Sequence, residues 1–373
     1  MRIDVSHART VVQNIMQAGG MTPEQAQAVA RRMVASDLYG HVTHGVAMVP
    51  MYLERLGDGR ICADGTLKTL QDHGSAFSWE CGRLPGAWVM EQAIEQMLER
   101  IESHPVVTAT IANCGHIGAL QVYSDEIAQR GLLGLMMVTD PGVVSVAPFG
   151  GATPVLTSNP MAVIIPTRDQ PVLVDVSTSV TSNTAVRNYQ EAGRKLPGNW
   201  LLDNQGVPTN EPSVLADDPP GTILPLGGED FGYKGFGLGL MVEAYALALT
   251  GYGRHQGHKR GGQGVFFQVI DPARFCGSEV FLDETTFVRK QCLDSTPAKH
   301  ASHAAPSACC PPKEGASCLG SGPSAKNGPG VRMPGQRAQE KRADQLANGL
   351  AVDDAVVASI DACAARLKVP GLS

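Results

Sequence analysis

Five short apolar runs, at 106–112, 133–139, 161–165, 172–176 and 265–270, constrain the fold more than any other feature of this chain. Each is too short for a buried helix, each is bounded by turn residues, and their Val, Ile, Met and Phe content suits buried strands. Helical signals stand between and around them. Thr22-Pro23-Glu24-Gln25 combines an N-cap, a proline at the first helical position and a glutamine that closes a capping box. Ala26, Val29, Ala30, Met33 and Val34 follow at helical spacing, and Gly40 is placed to end that helix. Val89, Met90, Ala93, Ile94, Met97, Leu98 and Ile101 mark a second amphipathic helix. Further helices are expected over 119–130, 235–250 and 353–368. Strands mixed with helices in this way define an α/β class.

With 373 residues the chain is long enough for about two domains. A charged fraction of 18% and a net charge of −6 give no basis for a nucleic-acid partner or an anionic membrane surface. The run at 132–138 is far shorter than the ~20 residues that span a bilayer. Met1-Arg2-Ile3-Asp4 opens without an apolar stretch, so no signal peptide is expected. Of nine cysteines, Cys62, Cys81, Cys114, Cys276 and Cys363 are scattered singly, and no CxxC pair occurs. That spacing fits free thiols in a reducing cytoplasm and no metal site. Residues 292–330 break the pattern: they are rich in Ala, Ser, Pro, Gly and Cys and lack apolar periodicity. A mobile surface insertion is expected there. His300, His303, Cys309, Cys310 and Cys318 fall inside it without the spacing of a zinc site.

A dinucleotide fingerprint is missing. Gly251-Tyr252-Gly253-Arg254-His255-Gln256-Gly257 has three residues where GxGxxG has two, and it follows an apparent helix rather than a strand. Gly235, Gly237 and Gly239 lie inside a helical pattern, where close helix packing explains them. Composition and periodicity therefore end at a globular α/β protein with the character of an enzyme.

Seven segments carry more. They are Asp37-Leu38-Tyr39-Gly40-His41-Val42-Thr43-His44-Gly45-Val46 with Tyr52; Asn113-Cys114-Gly115-His116-Ile117-Gly118-Ala119; Ala147-Pro148-Phe149-Gly150-Gly151 leading to Thr157-Ser158-Asn159-Pro160; Asp175-Val176-Ser177-Thr178-Ser179; Asp203-Asn204-Gln205-Gly206-Val207-Pro208-Thr209; Tyr233-Lys234-Gly235; and Arg332-Met333-Pro334-Gly335. In their order and spacing the chain resembles the type-2 malate/L-lactate dehydrogenase family, which also holds ureidoglycolate and sulfolactate dehydrogenases and cyclic-imine reductases.

The resemblance implies a malate/L-lactate dehydrogenase type-2 fold, with a non-Rossmann NAD(P)-binding core and a helical second domain. Residues 1–78 with 331–373 would form the helical substrate and dimerisation domain, 79–291 the cofactor-binding α/β domain, and 292–330 an insertion. The activity implied is interconversion of a 2-oxo acid and a 2-hydroxy acid by hydride transfer, in a cytoplasmic homodimer, with NAD as the family's default and NADP as the alternative. His116 would exchange the proton, a step suited to an imidazole because it titrates near neutrality. A satisfied buried histidine is the plain alternative. His44 and Thr43 match the family's Ser-His pair, with threonine keeping the hydroxyl. Tyr52, Met48 and Ser158 are assigned to substrate binding. Met48 stands where many relatives carry an arginine that grips a carboxylate, and Arg55 is no obvious substitute. Cofactor contacts fall on Ile117, Gly118, Ala119, Leu120, Asp140, Asp175, Val176, Ser177, Lys234, Arg332, Pro334 and Gly335. A cyclic imino-acid reductase, or a family member without turnover, are the competing readings.

Overall fold

The computed structural model describes residues 1–257, 261–296 and 331–373. The chain begins with a two-residue strand, β1 (Arg2–Ile3), and the helices α1 (Val5–Ala18), α2 (Pro23–Tyr39) and α3 (Val49–Gly57). The capping box at the start of α2 is formed as read: the Thr22 hydroxyl accepts the Gln25 amide and the Gln25 side chain accepts the Thr22 amide. Gly40 closes the helix at a positive φ of 88°. Val11, Val12, Ile15 and Met16 of α1 pack with Val29, Met33 and Val34 of α2 in one apolar core. Val357, Ile360 and Cys363 of the last helix enter the same core, so the two ends of the chain share it.

A second core lies on a seven-stranded sheet. Its strands are β2 (Lys68–Asp72), β3 (Ala76–Glu80), β4 (Val106–Cys114), β5 (Leu133–Thr139), β6 (Met161–Ile165), β7 (Val172–Val176) and a strand from much later in the chain, Gln263–Ile270. This last strand inserts between β4 and β5 and pairs antiparallel with both. Only β3 and β4 run parallel among the described pairs, joined through α4 (Gly86–Arg100). A sheet of this kind is not the parallel doubly wound sheet of a Rossmann domain, in agreement with the missing fingerprint. Short helix α5 (Ser124–Ala128) follows β4.

A third, smaller core gathers Val146, Leu156, Val186, Tyr189, Leu201 and Ile223. It holds α6 (Asn183–Glu191) and the three short strands β8 (Leu201–Leu202), β9 (Pro208–Thr209) and β10 (Thr222–Ile223), in the order β10-β8-β9. Helix α7 (Gly228–Glu243) runs on through a π-helical turn, Ala244–Ala248, into the inserted strand, here β11. Helices α8 (Ser278–Leu293), α9 (Gln336–Asn348) and α10 (Asp354–Leu367) complete the chain, with β12 (Leu350–Ala351) antiparallel to β1.

All five expected strands are present, and four sequence expectations need correction. The helix expected over 119–130 is a 3-10 turn, Leu120–Tyr123, followed by α5; the Gln121 amide is taken by the Asp175 carboxylate and not by a helical carbonyl. The helix expected from 235 begins at Gly228, in glycine-rich sequence of poor helix propensity. Cys292 and Leu293 belong to α8, so the break in pattern starts later than 292. That helix buries no residue and docks through charge: Arg168 of the β6–β7 turn pairs with Glu279 at 2.7 Å and Asp283 at 2.6 Å. Residues 297–330, with the His300, His303, Cys309, Cys310 and Cys318 group, lie outside the described residues. Finally, the domain boundary expected at 78 falls inside β3, because β2 and β3 hydrogen-bond into the large sheet.

Candidate active site

Two histidines far apart in sequence meet between the helical core and the sheet. His44 ends a 3-10 turn, Val42–His44, just after α2, and His116 follows the end of β4. Their rings are stacked, with centroids 5.6 Å apart and planes 10° from parallel. Tyr52 of α3, 3% exposed, approaches His116 edge-on. Its hydroxyl donates to the His116 carbonyl at 2.9 Å and lies 3.1 Å from His116 Nδ1. Burial holds the Tyr52 phenol well above its ordinary pKa, opposed by the nearby charge of Arg55, so it stays protonated. With its one proton on the carbonyl, the phenol oxygen is left to accept from Nδ1–H. That arrangement puts the neutral proton of His116 on Nδ1 and leaves Nε2 with its lone pair. On the other ring, the Thr43 hydroxyl is 3.0 Å from His44 Nδ1. Burial first, and then His41, depress His44 to about 4, so it is neutral at ordinary pH.

The turn that carries His44 is fixed from below. Asp37 of α2 is 5% exposed and its Oδ2 accepts the Val46 amide at 2.7 Å. Gly45 lies directly over that carboxylate, where any Cβ would overlap it. The spacing of Asp37, Gly45 and Val46 in the first motif thus describes one capped turn.

The main chain after His116 has open space beside it. Gly118 has φ 81°, and nothing lies within 4 Å of the place a Cβ would take. Ile117, Ala119 and Leu120 turn their side chains into the sheet core and offer only backbone. Asp175, at the end of β7, accepts the Gln121 amide at 3.1 Å. His41 Nε2 is 2.9 Å from Gln121 Oε1. Loss of hydration raises the Asp175 carboxyl, while His41 and the Gln121 amide work against the rise. Gln121 is 4% exposed, and its Nε2 has no hydrogen-bond partner among the described residues. A buried donor beside an open glycine turn is a fit for the polar groups of a dinucleotide, since an unpaired buried amide is costly.

The remaining expected residues are placed less centrally. The Ser158 carbonyl accepts from the Thr178 amide at 2.9 Å, which sets it next to Ser177, whose hydroxyl donates to Ser179. Val176 is exposed at the end of β7. Asp140 follows β5 and accepts the amides of Gly142 and Gly261, a loop-fixing role the sequence did not suggest. Lys234 is exposed on α7, its ammonium 4.8 Å from the Phe231 ring centroid. Met48 packs against the helical core. Arg332 is exposed, the Pro334 carbonyl accepts the Leu173 amide of β7, and Gly335 comes so close to Leu173 that no side chain fits. The last segment therefore seals the edge strand of the sheet.

Several residues escaped sequence reading. His41 and Asn159 stand inside quoted motifs, but their side-chain partners do not, and the capping role of Asp37 toward Val46 lies within its own motif. Asn159, fully buried, binds Thr139, the Gly239 carbonyl and Glu243; Glu243 pairs with Arg254, which donates to the carbonyls of Pro141 and Val143. This network holds the loop after β5. Among the described residues no group of three His, Cys, Asp or Glu is placed to hold a metal ion, and no helix is long and apolar enough to cross a membrane.

Two stacked imidazoles, His44 held neutral by burial, beside an open glycine turn are equipped to exchange a proton with a group bound there. Comparison with known proteins identifies the family. A family model described as malate/L-lactate dehydrogenase matches residues 3–306, and the chain belongs to that family, whose members act as oxidoreductases on hydroxy acids. Hydroxycarboxylate dehydrogenase B of Escherichia coli is 28% identical over 67% of this chain and 68% of its own length. A Δ1-pyrroline-2-carboxylate/Δ1-piperideine-2-carboxylate reductase of Pseudomonas syringae pv. tomato is 28% identical over 75% of this chain and 82% of its own. In fold, the chain matches the crystal structure of malate dehydrogenase from Entamoeba histolytica with a TM-score of 0.86 over 99% of both chains, at 19% identity.

Proposed function

We propose that this protein interconverts a small 2-hydroxy acid and its 2-oxo acid with a nicotinamide dinucleotide, and that His116 exchanges the hydroxyl proton. The stack of His44 on His116 carries this reading. Two parallel imidazoles in contact disfavour a second positive charge, and His44 is the one held neutral. His116 is then the ring that takes the proton, at Nε2, with Nδ1 engaged by the Tyr52 hydroxyl. In the oxidative direction Nε2 accepts the proton of the substrate hydroxyl; in the reductive direction the imidazolium returns it. Thr43 orients His44 against the substrate side. The nicotinamide, when bound, accepts or supplies the hydride.

The backbone of Ile117, Gly118, Ala119 and Leu120 with Asp175, Val176 and Ser177 would hold the dinucleotide. Asp140, Lys234 and the 332–335 segment would be its outer contacts. NAD is our first choice and NADP the alternative. Ser158 and Tyr52 border the substrate. Because Met48 joins the helical core, the substrate carboxylate is gripped elsewhere than in relatives with arginine there, and a cyclic imino acid is the second reading, supported by the reductase relative. We also propose a homodimer in the cytoplasm; Phe149, Phe231, Tyr233, Leu240 and Leu249, on and beside α7, are exposed large apolar side chains of a kind that a second copy covers.

A panel of pyruvate, oxaloacetate and Δ1-piperideine-2-carboxylate, each with NADH and NADPH, tests the reading through loss of reduced-nicotinamide absorbance. We expect a 2-oxo acid to exceed the cyclic imine at least ~10-fold in kcat/KM, about 1.4 kcal/mol of transition-state preference. The reverse order installs the imine reading, and no turnover with any of them removes both.

A further inference from the structure

The peptide units around His116 are pinned at three successive points by side chains from three elements. Tyr52 of α3 donates to the His116 carbonyl at 2.9 Å. Gln263 of β11 accepts the Ile117 amide through Oε1 at 3.0 Å. Tyr123, fully buried, donates to the Ile117 carbonyl at 2.5 Å. Gln263 is separated from Ile117 by 146 residues of sequence and belongs to none of the motifs above. It is the first residue of β11 and is registered opposite Cys114, and the ladder shifts between Gln263 and Val265. Irregularities at strand ends re-aim side chains, and this one sends the amide of Gln263 onto the loop that carries His116.

Ile117 is 1% exposed, so water cannot substitute for the Gln263 acceptor. Losing it leaves a buried N–H unpaired, and the loop can recover a partner only by moving. Any such movement turns the peptide bonded directly to His116. Proton exchange tolerates little displacement, since a misplacement of about 1 Å costs on the order of 10²-fold in rate.

We propose that Gln263 is a positioning residue for His116, holding the Ile117 amide so that the imidazole is set at its reacting angle. The proposal rests on the reading of His116 as the proton-exchanging group. It predicts an effect on chemistry and on the His116 environment, where a role confined to closing the sheet would change stability alone.

The test compares Gln263→Leu, which removes the acceptor, with Gln263→Glu, which keeps it and adds a charge. Four readouts are taken: kcat at saturating substrate, nicotinamide affinity by fluorescence, melting temperature, and the imidazole titration in ligand-free protein labelled at histidine. The His116 resonance is assigned by its loss in His116→Asn. Gln263→Leu should lower kcat ~10-fold or more and shift the His116 resonance. Gln263→Glu should hold kcat within ~3-fold at its own optimum, and raise the His116 titration midpoint by ~0.5–1 unit, because a carboxylate next to the loop favours the imidazolium. Parental kcat and an unmoved resonance in Gln263→Leu overturn the proposal, as does equal impairment of both variants with the titration unmoved. If Gln263→Leu does not fold, the Gln263→Glu titration decides alone. If His116→Asn keeps full turnover, the acid-base reading fails separately, and the resonance shift still decides whether Gln263 orients the ring.

Discussion

Asp37→Asn is expected to make the protein more stable at pH 8 and less active. The Asp37 carboxyl is 5% exposed under the Val46–Met48 turn. Burial pushes it from 3.8 up to about 7, with the Val46 amide and Lys341 of α9 pulling the other way. The folded state therefore keeps a proton that the unfolded chain releases near pH 3.8. Across the window from about 4 to 7 the folded state binds more protons, so this group's contribution to stability falls as pH rises, and it stays low above that window. A rise of about 3 units, at about 1.4 kcal/mol each, sets an upper bound of about 4 kcal/mol. Asparagine keeps the shape and an acceptor for Val46 but cannot ionise. Parent and variant should then match in urea unfolding near pH 4 and separate progressively, the variant leading by up to about 4 kcal/mol at pH 8. A constant gap from pH 4 to 8, or a variant that loses ground as pH rises, refutes the reasoning. At pH 8 the carboxylate is the stronger acceptor, so turnover of the variant should drop several-fold with nicotinamide binding kept. A stability gain with a loss of turnover would show that the charge is retained for the His44 turn.

Three further outcomes are expected. His116→Asn should lower turnover ~10²-fold or more with nicotinamide affinity held, the size of a lost general acid-base group; near-parental turnover removes His116 from the chemistry. His44 is depressed from 6.5 to about 4, so the unfolded chain takes up its proton first, and the stability present above pH 6.5 is lost as pH falls toward 4. His44→Asn should flatten that acid limb by up to about 3 kcal/mol relative to the parent, read by urea midpoints at pH 7 and 4.5. Lys234→Ala should weaken dinucleotide binding about 10-fold, a charge-assisted contact, while kcat at saturating cofactor stays near the parent; a fall in kcat alone places Lys234 elsewhere.

What the sequence disclosed follows the range of the interactions that write it. The Thr22 capping box and the five strands are local: a hydroxyl bonds three residues on, and a strand announces itself by its own apolar run. The order of those strands is another matter. The pairing of β11 with β4 and β5 joins residues more than 120 apart, and no local pattern encodes it. Helix α8 was invisible because it is held by Arg168 through two carboxylates and shows no buried face. The site divides the same way. Thr43, His44 and His116 stand in motifs and were brought to one site only by family resemblance, while the contact of Tyr52 with His116 had no signal in the sequence. Gln263 and Gln121 act through partners on other elements, and nothing beside them in the chain marks them, while the motif that holds His41 does not disclose its partner Gln121. Met48 shows the reverse limit. Its departure from arginine was plain in the sequence and looked like damage to a carboxylate clamp, but the side chain has joined the helical core. A thioether there packs against the helical core, while an arginine would bring a charge that apolar surroundings oppose. Met48 is thus part of the helical core, while the His44–His116 pair beside it is intact.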